Sequence, residues 1–414
     1  MSEKRRVARL AVDIGGTFTD IVLLSSGRRH VAKLLTTPRE PEVAVIEGAR
    51  SVLAEAGLSF SDIGVFVHGT TLATNAIIER KGARTALIAT DGFRDVIEIA
   101  DEGRYDQYDV FIDKPKPLVP RRLRFTVPER VDVNGTVRLA LDEAAVRAVA
   151  AELRRENIEA VAVAFIHACV NGGHEARVRD ILAEECPGLW IALSSEVAPE
   201  MREYERTSTT IASAYVQPLI AGYLGRLADA FAAEGSGAPI QLMTSGGSLA
   251  GLDTASRFPI RLVESGPAGG AILAAHVAAE RQDRKVLSFD MGGTTAKICL
   301  IEDMQPLKGR SFEVDRAARF LKGSGLPIRI PVIEMVEIGA GGGSIARVDE
   351  LKRITVGPDS AGSEPALSGP TVTRLSASTC AIEPPPAPIS TISITGMRNG
   401  SPEPFRKRAA RSTS

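Results

Sequence analysis

Two short strings in the sequence pair a carboxylate with consecutive glycines. Asp13-Ile14-Gly15-Gly16-Thr17 closes one apolar run, and Asp290-Met291-Gly292-Gly293-Thr294 closes another. A strand ending near Asp brings a carboxylate to the edge of a sheet. Two glycines tolerate positive φ, so successive backbone N–H groups can point at one anion with no Cβ in the way, and the Thr hydroxyl adds a donor. The carboxylate itself repels a phosphate, but it can hold Mg²⁺ through water while the metal bridges to the phosphates. A third glycine string, Gly339-Ala340-Gly341-Gly342-Gly343-Ser344, follows the apolar run 331–338 and permits close approach to a flat ligand. Ser245-Gly246-Gly247-Ser248 and Ser265-Gly266-Pro267 are further glycine turns, and the second opens a helix. The alternative for each string is a turn of purely structural use.

The elements around these strings follow from their patterns. Residues 7–14 and 18–24 predict two strands of a β-meander, and 31–35 a third. Apolar residues at helical spacing predict a helix over 41–56, ended by Gly57. A strand over 65–67 leads to His68, and a helix over 71–80 follows. Further along, strands over 85–89, 160–165, 190–193 and 240–243 alternate with helices over 142–156, 174–185 and 267–280. The stretch 203–233 reads as one long helix that Pro218 must kink or break. Residues 91–128 read as a surface insertion. Strands over 286–290 and 296–301 repeat the opening strand–turn–strand design, an internal repeat. This alternation predicts a mixed α/β sheet with helices on its faces.

Composition narrows the classes. The chain has 414 residues, 44% hydrophobic and 24% charged, which suits globular domains. Fifty basic against fifty-one acidic residues leave a net charge of −1, so no basic field invites nucleic acid or an anionic membrane. No apolar stretch reaches the roughly 18 residues of a membrane span. Cys169, Cys186, Cys299 and Cys380 are far apart, which argues against a cysteine metal cage and fits a reducing cytoplasm. From about residue 363 the chain is rich in Ser, Thr and Pro, and its composition predicts disorder.

Twin Asp-x-Gly-Gly-Thr turns with a late glycine loop resemble the actin-like ATPase superfamily. A narrower resemblance rests on Val12-Asp13-Ile14-Gly15-Gly16-Thr17-Phe18-Thr19-Asp20, His68-Gly69-Thr70-Thr71-Leu72-Ala73-Thr74-Asn75, Glu203-Tyr204-Glu205-Arg206, Glu264-Ser265-Gly266-Pro267 and Asp290-Met291-Gly292-Gly293-Thr294-Thr295. Together these look like the hydantoinase A/5-oxoprolinase family, which includes the A-type subunits of N-methylhydantoinase and acetone carboxylase β subunits. The resemblance implies an actin-like (ribonuclease H-like) α/β fold of two lobes around a nucleotide cleft. Its implied regions are 7–200 with the first phosphate hairpin and 201–362 with the second hairpin and the glycine loop, leaving 363–414 as a tail outside the family. Family members continue past Gly357-Pro358-Asp359-Ser360-Ala361-Gly362, so a truncated chain with an incomplete second lobe is expected.

The implied activity is ATP-dependent phosphorylation of a cyclic amide or ureide for ring-opening hydrolysis, with ATP and Mg²⁺ as cofactors. A hydantoinase B-type subunit is the implied partner, the substrate is a small molecule, the compartment is cytoplasmic, and homo-oligomerisation stays open. Asp13 and Asp290 would hold the metal and serve catalysis. Gly15, Gly16, Thr17, Thr19, Gly292, Gly293, Thr294, Gly341, Gly342 and Gly343 would bind nucleotide. His68 is by itself either a contact to substrate or transferring phosphate or a core histidine, and the resemblance favours the former. Thr70, Thr71 and Asn75 are weaker substrate candidates. Glu203, Tyr204, Glu205 and Arg206 are either catalytic or first-turn charges of a helix. Many members carry Asp-x-His before the glycine loop. Here Val336 stands in that place and cannot ligate a metal, so no ion beyond Mg²⁺ is carried over. The alternatives are a sugar-kinase-like phosphotransferase, a non-catalytic ATP-binding protein and a carbonyl-activating carboxylase subunit.

Overall fold

The computed structural model describes residues 8–101, 105–112, 114–291, 296–317, 322–338, 344–348, 354–358 and 392–396. Two compact units divide the chain: Met1–Gly269 with Lys308–Ile333, and the remainder.

The first unit opens with the expected meander, β1 (Ala8–Ile14), β2 (Phe18–Ser25) and β3 (Arg28–Leu35). In β1 every second residue is buried, from Ala8 through Leu10 and Val12 to Ile14, so Asp13 falls on the other face. Helix α1 (Pro41–Ala56) starts with Pro at its first turn and ends at Gly57, whose φ of 67° lets the chain close the helix. β4 (Ile63–Thr70) pairs in parallel with β1 and runs directly into α2 (Leu72–Ile78).

A second sheet is inserted here. Its strands are β5 (Thr85–Thr90), β6 (Arg124–Val127), β9 (Ala160–Ala164) and β10 (Trp190–Leu193), all parallel, in the order β10-β9-β5-β6. Between them lie α3 (Val96–Ile99), the small ribbon β7 (Arg130–Val131) and β8 (Val137–Leu139), α4 (Glu143–Arg155) and α5 (Gly173–Glu185). The sequences Thr-Ala-Leu-Ile-Ala-Thr and Ala-Val-Ala-Val-Ala of β5 and β9 are buried at every position, as both-face coverage of a parallel sheet requires. The Asp142 carboxylate caps α4 by accepting from Ala145 N at 2.9 Å. Trp190, 38% exposed, begins the edge strand β10.

After the short α6 (Ser194–Val197), α7 (Glu203–Ala233) runs unbroken for 31 residues; it packs on β5, β9 and β10 of the second sheet and meets β4 of the first through Phe231 on Phe66 and Tyr223 on His68. Pro218 lies inside it, so the expected break does not occur; Val216 and Ile220, two residues to either side, are fully buried, and packing outweighs one lost N–H. β11 (Ile240–Met243) then joins the first sheet beside β4, followed by β12 (Leu249–Gly251), α8 (Leu252–Arg257) and α9 (Ser265–Arg281). The first sheet has the order β12-β11-β4-β1-β2-β3. Because β11 returns to the first sheet and α7 covers both, the first compact unit runs through to Gly269.

The expected surface insertion over 91–128 is corrected in part. Its end forms β6, and Val119, Leu123 and Val127 are buried. Arg124 is 4% exposed and donates to Val119 O and Glu98, so the charge that suggested a loop is paired inside.

The second unit repeats the opening design. β13 (Lys285–Met291) and β14 (Ala296–Glu302) are antiparallel, and β15 (Gln305–Pro306) continues the meander. Strand Val336–Ile338 also pairs with β14, and strand Ile392–Gly396 pairs with β13. The latter five residues are a strand within the segment expected to lack structure. The rest of 363–414 lies outside the described residues.

Candidate functional site

The first hairpin has a defined register. Ile14 pairs with Thr19 and Asp13 with Asp20, which leaves residues 15–18 as the turn. In the second, Met291 pairs with Ala296 and Asp290 with Lys297, leaving 292–295. The two repeats therefore place Asp next to the last paired residue of its strand, with four residues between the strands in each. Gly292, Gly293 and Thr294 lie outside the described residues, as do Gly341, Gly342 and Gly343.

Asp13 stands on the exposed face of β1, and its surroundings explain two glycines. Its partner across the parallel ladder is Gly69. A Cβ at Gly69 would lie 2.7 Å from Asp13 Oδ1, so any larger residue there would push the carboxylate aside. On another side, a Cβ at Gly266 would lie 3.4 Å from Oδ1 and 3.5 Å from Oδ2. Gly266 belongs to the first turn of α9, whose N-terminal dipole favours the negative charge. Ser265 fixes that turn: its Oγ donates to Thr70 O at 3.0 Å and accepts from Thr70 N at 3.3 Å. Glu264, with φ 61°, donates its N–H to Thr74 Oγ1 at 3.2 Å. So β1, the end of β4 and the start of α9 meet at Asp13. The sequence offered the Ser265-Gly266 turn only as a helix opening that could face an anion, and Gly69 was not singled out, although the Asp13–Gly69 pairing follows once β1 and β4 are placed in register.

The turn itself differs from expectation in two ways. Neither Gly15 nor Gly16 takes positive φ. Gly15 donates its N–H to Phe18 O at 2.9 Å, so that donor is spent within the turn, and a Cβ there would come within 3.1 Å of the same oxygen. Gly16 and Thr17 remain exposed at the tip. Thr19 is corrected too. It is fully buried, and its hydroxyl meets that of Thr36 at 3.1 Å, while Thr36 Oγ1 donates to Gly15 O at 3.0 Å. Thr19 braces the turn from behind.

His68 is the clearest correction. In the β1–β4 register it pairs with Val12, whose side chain points into the core. Alternation therefore turns the imidazole away from the face of Asp13. It is fully buried, stacked on Phe66, with Nδ1 3.3 Å from Val12 O and Nε2 2.7 Å from Tyr223 OH. Since a carbonyl only accepts, Nδ1 carries the proton and Nε2 accepts from the phenol. Burial pushes the imidazole pKa down to about 4 and the Tyr223 phenol well above its ordinary value. His68 is a neutral core residue.

Thr70 and Thr71 are structural ties. Thr70 Oγ1 accepts from Leu72 N at 3.2 Å, and Thr71 Oγ1 donates to Ile14 O at 3.2 Å. Asn75 Nδ2 donates to Thr71 Oγ1 at 3.3 Å and lies 3.8 Å from where a Cβ of Gly16 would be, so Asn75 does sit against the turn. Ser245-Gly246-Gly247-Ser248 forms the β11–β12 hairpin, with Gly247 at φ 76°. In the second unit, burial raises the Asp290 carboxyl pKa, opposed by Lys297 across the ladder. Among the described residues no group of three or more His, Cys, Asp or Glu could hold a metal by itself, and no helix is long and apolar enough to cross a membrane.

Comparison with known proteins places this geometry. The model of the hydantoinase/oxoprolinase N-terminal region matches residues 9–186, and that of hydantoinase/oxoprolinase matches 206–381. The chain belongs to the hydantoinase/oxoprolinase family. The second match continues past residue 362, into the segment expected to lie outside the family. An uncharacterized protein of Methanocaldococcus jannaschii is 41% identical over 86% of this chain and 53% of its own length. The caprolactamase alpha subunit of Pseudomonas jessenii is 33% identical over 86% of this chain and 51% of its own. The crystal structure of the ATP-dependent caprolactamase from that organism superposes with a TM-score of 0.73 at 32% identity, and nucleotide-free acetone carboxylase with 0.71 at 28%. Each of these two structures covers 86% of this chain and 51% of its own. The fold is thus the expected α/β, actin-like ATPase class, and this chain spans about half the length of these hydantoinase/oxoprolinase relatives.

Proposed function

We propose that the chain is the A-type, ATP-using part of an enzyme that activates a cyclic amide or ureide for ring opening. The observation that carries this reading is the pair of antiparallel strand pairs in one register, each with its Asp next to the last paired residue and four residues joining the strands. ATP dependence is part of the names of the caprolactamase and acetone carboxylase structures that share the fold. An amide carbonyl resists water because resonance strengthens its C–N bond. Transfer of the terminal phosphoryl group to the carbonyl oxygen, with ADP leaving, makes that oxygen a leaving group; water then adds to the carbon, the C–N bond breaks with the nitrogen taking a proton so that the ring opens to an acyl phosphate, and a second water releases inorganic phosphate and the carboxylate.

The residues fit this chemistry. Asp13 is exposed near the end of β1 with Gly69 and Gly266 close against its carboxylate, and that carboxylate would hold a hydrated Mg²⁺. Bound there, the ion would supply neutralising charge for the phosphates. Gly16 and Thr17 present the tip of the turn to the phosphate side, with Thr19, Thr36 and Asn75 holding it in place. Asp290 is assigned the matching role on the second hairpin, with Gly292, Gly293, Thr294 and the glycines 341–343 as further nucleotide contacts. A B-type partner subunit is proposed because the named relatives are subunits of larger enzymes.

Calorimetric titration with Mg-ATP tests the reading. Saturable binding is expected, weakened at least tenfold in Asp13→Asn and in Asp290→Asn at unchanged melting temperature. No heat and no thermal stabilisation by Mg-ATP in the parent chain would sink it. Turnover of hydantoin or 5-oxoproline with the partner subunit should give the ring-opened acid. The likeness to acetone carboxylase favours one second reading, a carbonyl-activating carboxylase subunit, which instead gives a bicarbonate-dependent carboxylated product.

A further inference from the structure

The second sheet of the first unit carries a cleft of about 470 Å³. It opens at the carboxyl ends of β5 and β9, beside β7, and is closed by α3 and the start of α7. β6 lies on one side of β5 and β9 on the other, so the chain reverses direction across the sheet at this place. Open parallel sheets bind ligands at such a point.

Backbone strain concentrates around it. Ala100 (φ 57°, ψ −147°), His167 (φ 58°) and Arg202 (φ 75°) line the cleft, three of the eleven non-glycine residues with positive φ among those described. Such conformations persist where surrounding contacts over-determine them, and here buried polar groups do so. Glu175, fully buried, accepts from Phe165 N at 2.9 Å. Thr90 Oγ1 accepts from Ile166 N at 3.0 Å and donates to the buried Glu129 carboxylate, which also meets His174 Nδ1 at 2.8 Å. Arg206, 1% exposed, donates to Phe165 O at 2.8 Å and to Glu200 O at 2.9 Å, so one guanidinium fixes both the His167 turn and the turn leading to Arg202.

The lining indicates the occupant. Phe93, Val96 and Ile166 form an apolar side, and Arg130, Arg202, Glu203 and Glu205 a polar one. With Asp101 also in the lining, two arginines face three carboxylates, and the cations are already engaged: Arg130 stacks over Phe93 at 4.8 Å and Arg202 lies 3.5 Å from Glu205. A phosphate or dicarboxylate gains little from such a field. A compact uncharged molecule with an apolar body and an edge that both donates and accepts hydrogen bonds matches both sides. We propose that this cleft is the recognition site for the uncharged cyclic amide or ureide. The inference rests on the function proposed above for the chemical class alone, and it assigns no bond-breaking step to the cleft.

Ligand-detected NMR of the full chain with 2-piperidone tests it, with and without Mg-ATP. Saturable binding is expected, at least tenfold weaker in Val96→Trp, which fills the cleft, and unchanged in Asp13→Asn. Should Val96→Trp fail to fold, Ile99→Asp, at a lining side chain 69% exposed, replaces it with the same expected loss. Absence of saturable binding under both conditions, or equal binding by the cleft variants, overturns the proposal. Mg-ATP affinity is measured on the same variants: its absence with ring binding intact sinks only the nucleotide reading, and the reverse result sinks only this site.

Discussion

At the residue scale, the smallest side chain beside Asp13 has the sharpest consequence. Gly69→Ala would put a methyl group 2.7 Å from Oδ1, and the carboxylate must move. Mg-ATP affinity is expected to fall at least tenfold in calorimetry, while overpacking costs about 1–3 kcal/mol in urea denaturation. Unchanged affinity in a folded Gly69→Ala protein would contradict the role given to Asp13. His68 carries a different expectation. Its folded pKa of about 4 lies below the unfolded value near 6.5, so the unfolded chain binds more protons between these limits. Stability is full above pH 6.5 and falls as pH drops toward 4, by roughly 3 kcal/mol in all. Denaturant midpoints at pH 7 and pH 5 measure this, and His68→Gln should flatten the slope over that interval. The residue's chemistry was plain in the sequence, but its direction was not. Which face of β4 it occupies depends on the pairing with β1, a contact 56 positions away.

At the scale of elements, Arg206 is the joint to examine. Arg206→Met leaves the buried Phe165 carbonyl and the part-buried Glu200 carbonyl without their donor, an expected loss of roughly 2 kcal/mol by urea denaturation. Binding of 2-piperidone should weaken along with it, because both turns at the cleft lose their anchor. Ala100→Gly works in the other direction. Relief of a conformation nearly reserved for glycine outweighs glycine's added chain entropy, so a gain of about 1 kcal/mol is expected in the same assay. Regular elements were legible from periodicity: the meander, α1, α4, α5, β5 and β9 fall close to their predicted ranges. β6 was hidden by the Pro- and Arg-rich residues before it, and the continuity of α7 through Pro218 depends on burial that no local pattern shows. The cleft was invisible because it joins residues 93–101, 130, 166–167 and 202–205, which no spacing rule connects.

For the molecule as a whole, near-balanced charge sets solution behaviour. With a net charge of −1 and a sequence pI near 6.6, self-repulsion is weakest close to pH 6.6. Light scattering should show the greatest self-association there and less at both pH 5 and pH 8.5, and a monotonic trend from pH 5 to pH 8.5 would contradict it. The internal repeat was the most legible global feature, since one Asp and two glycines recur in like contexts and the structure gives both hairpins one register. The division at Gly269 was not legible, because it follows from β11 returning to a sheet begun more than two hundred residues earlier. The chain's single tryptophan, Trp190, sits at the edge of the inserted sheet and nowhere in the meander. Its emission is therefore a native optical probe of that sheet alone, and a fluorimeter can follow the melting of the insert separately from that of the sheet bearing Asp13, with no dye attached.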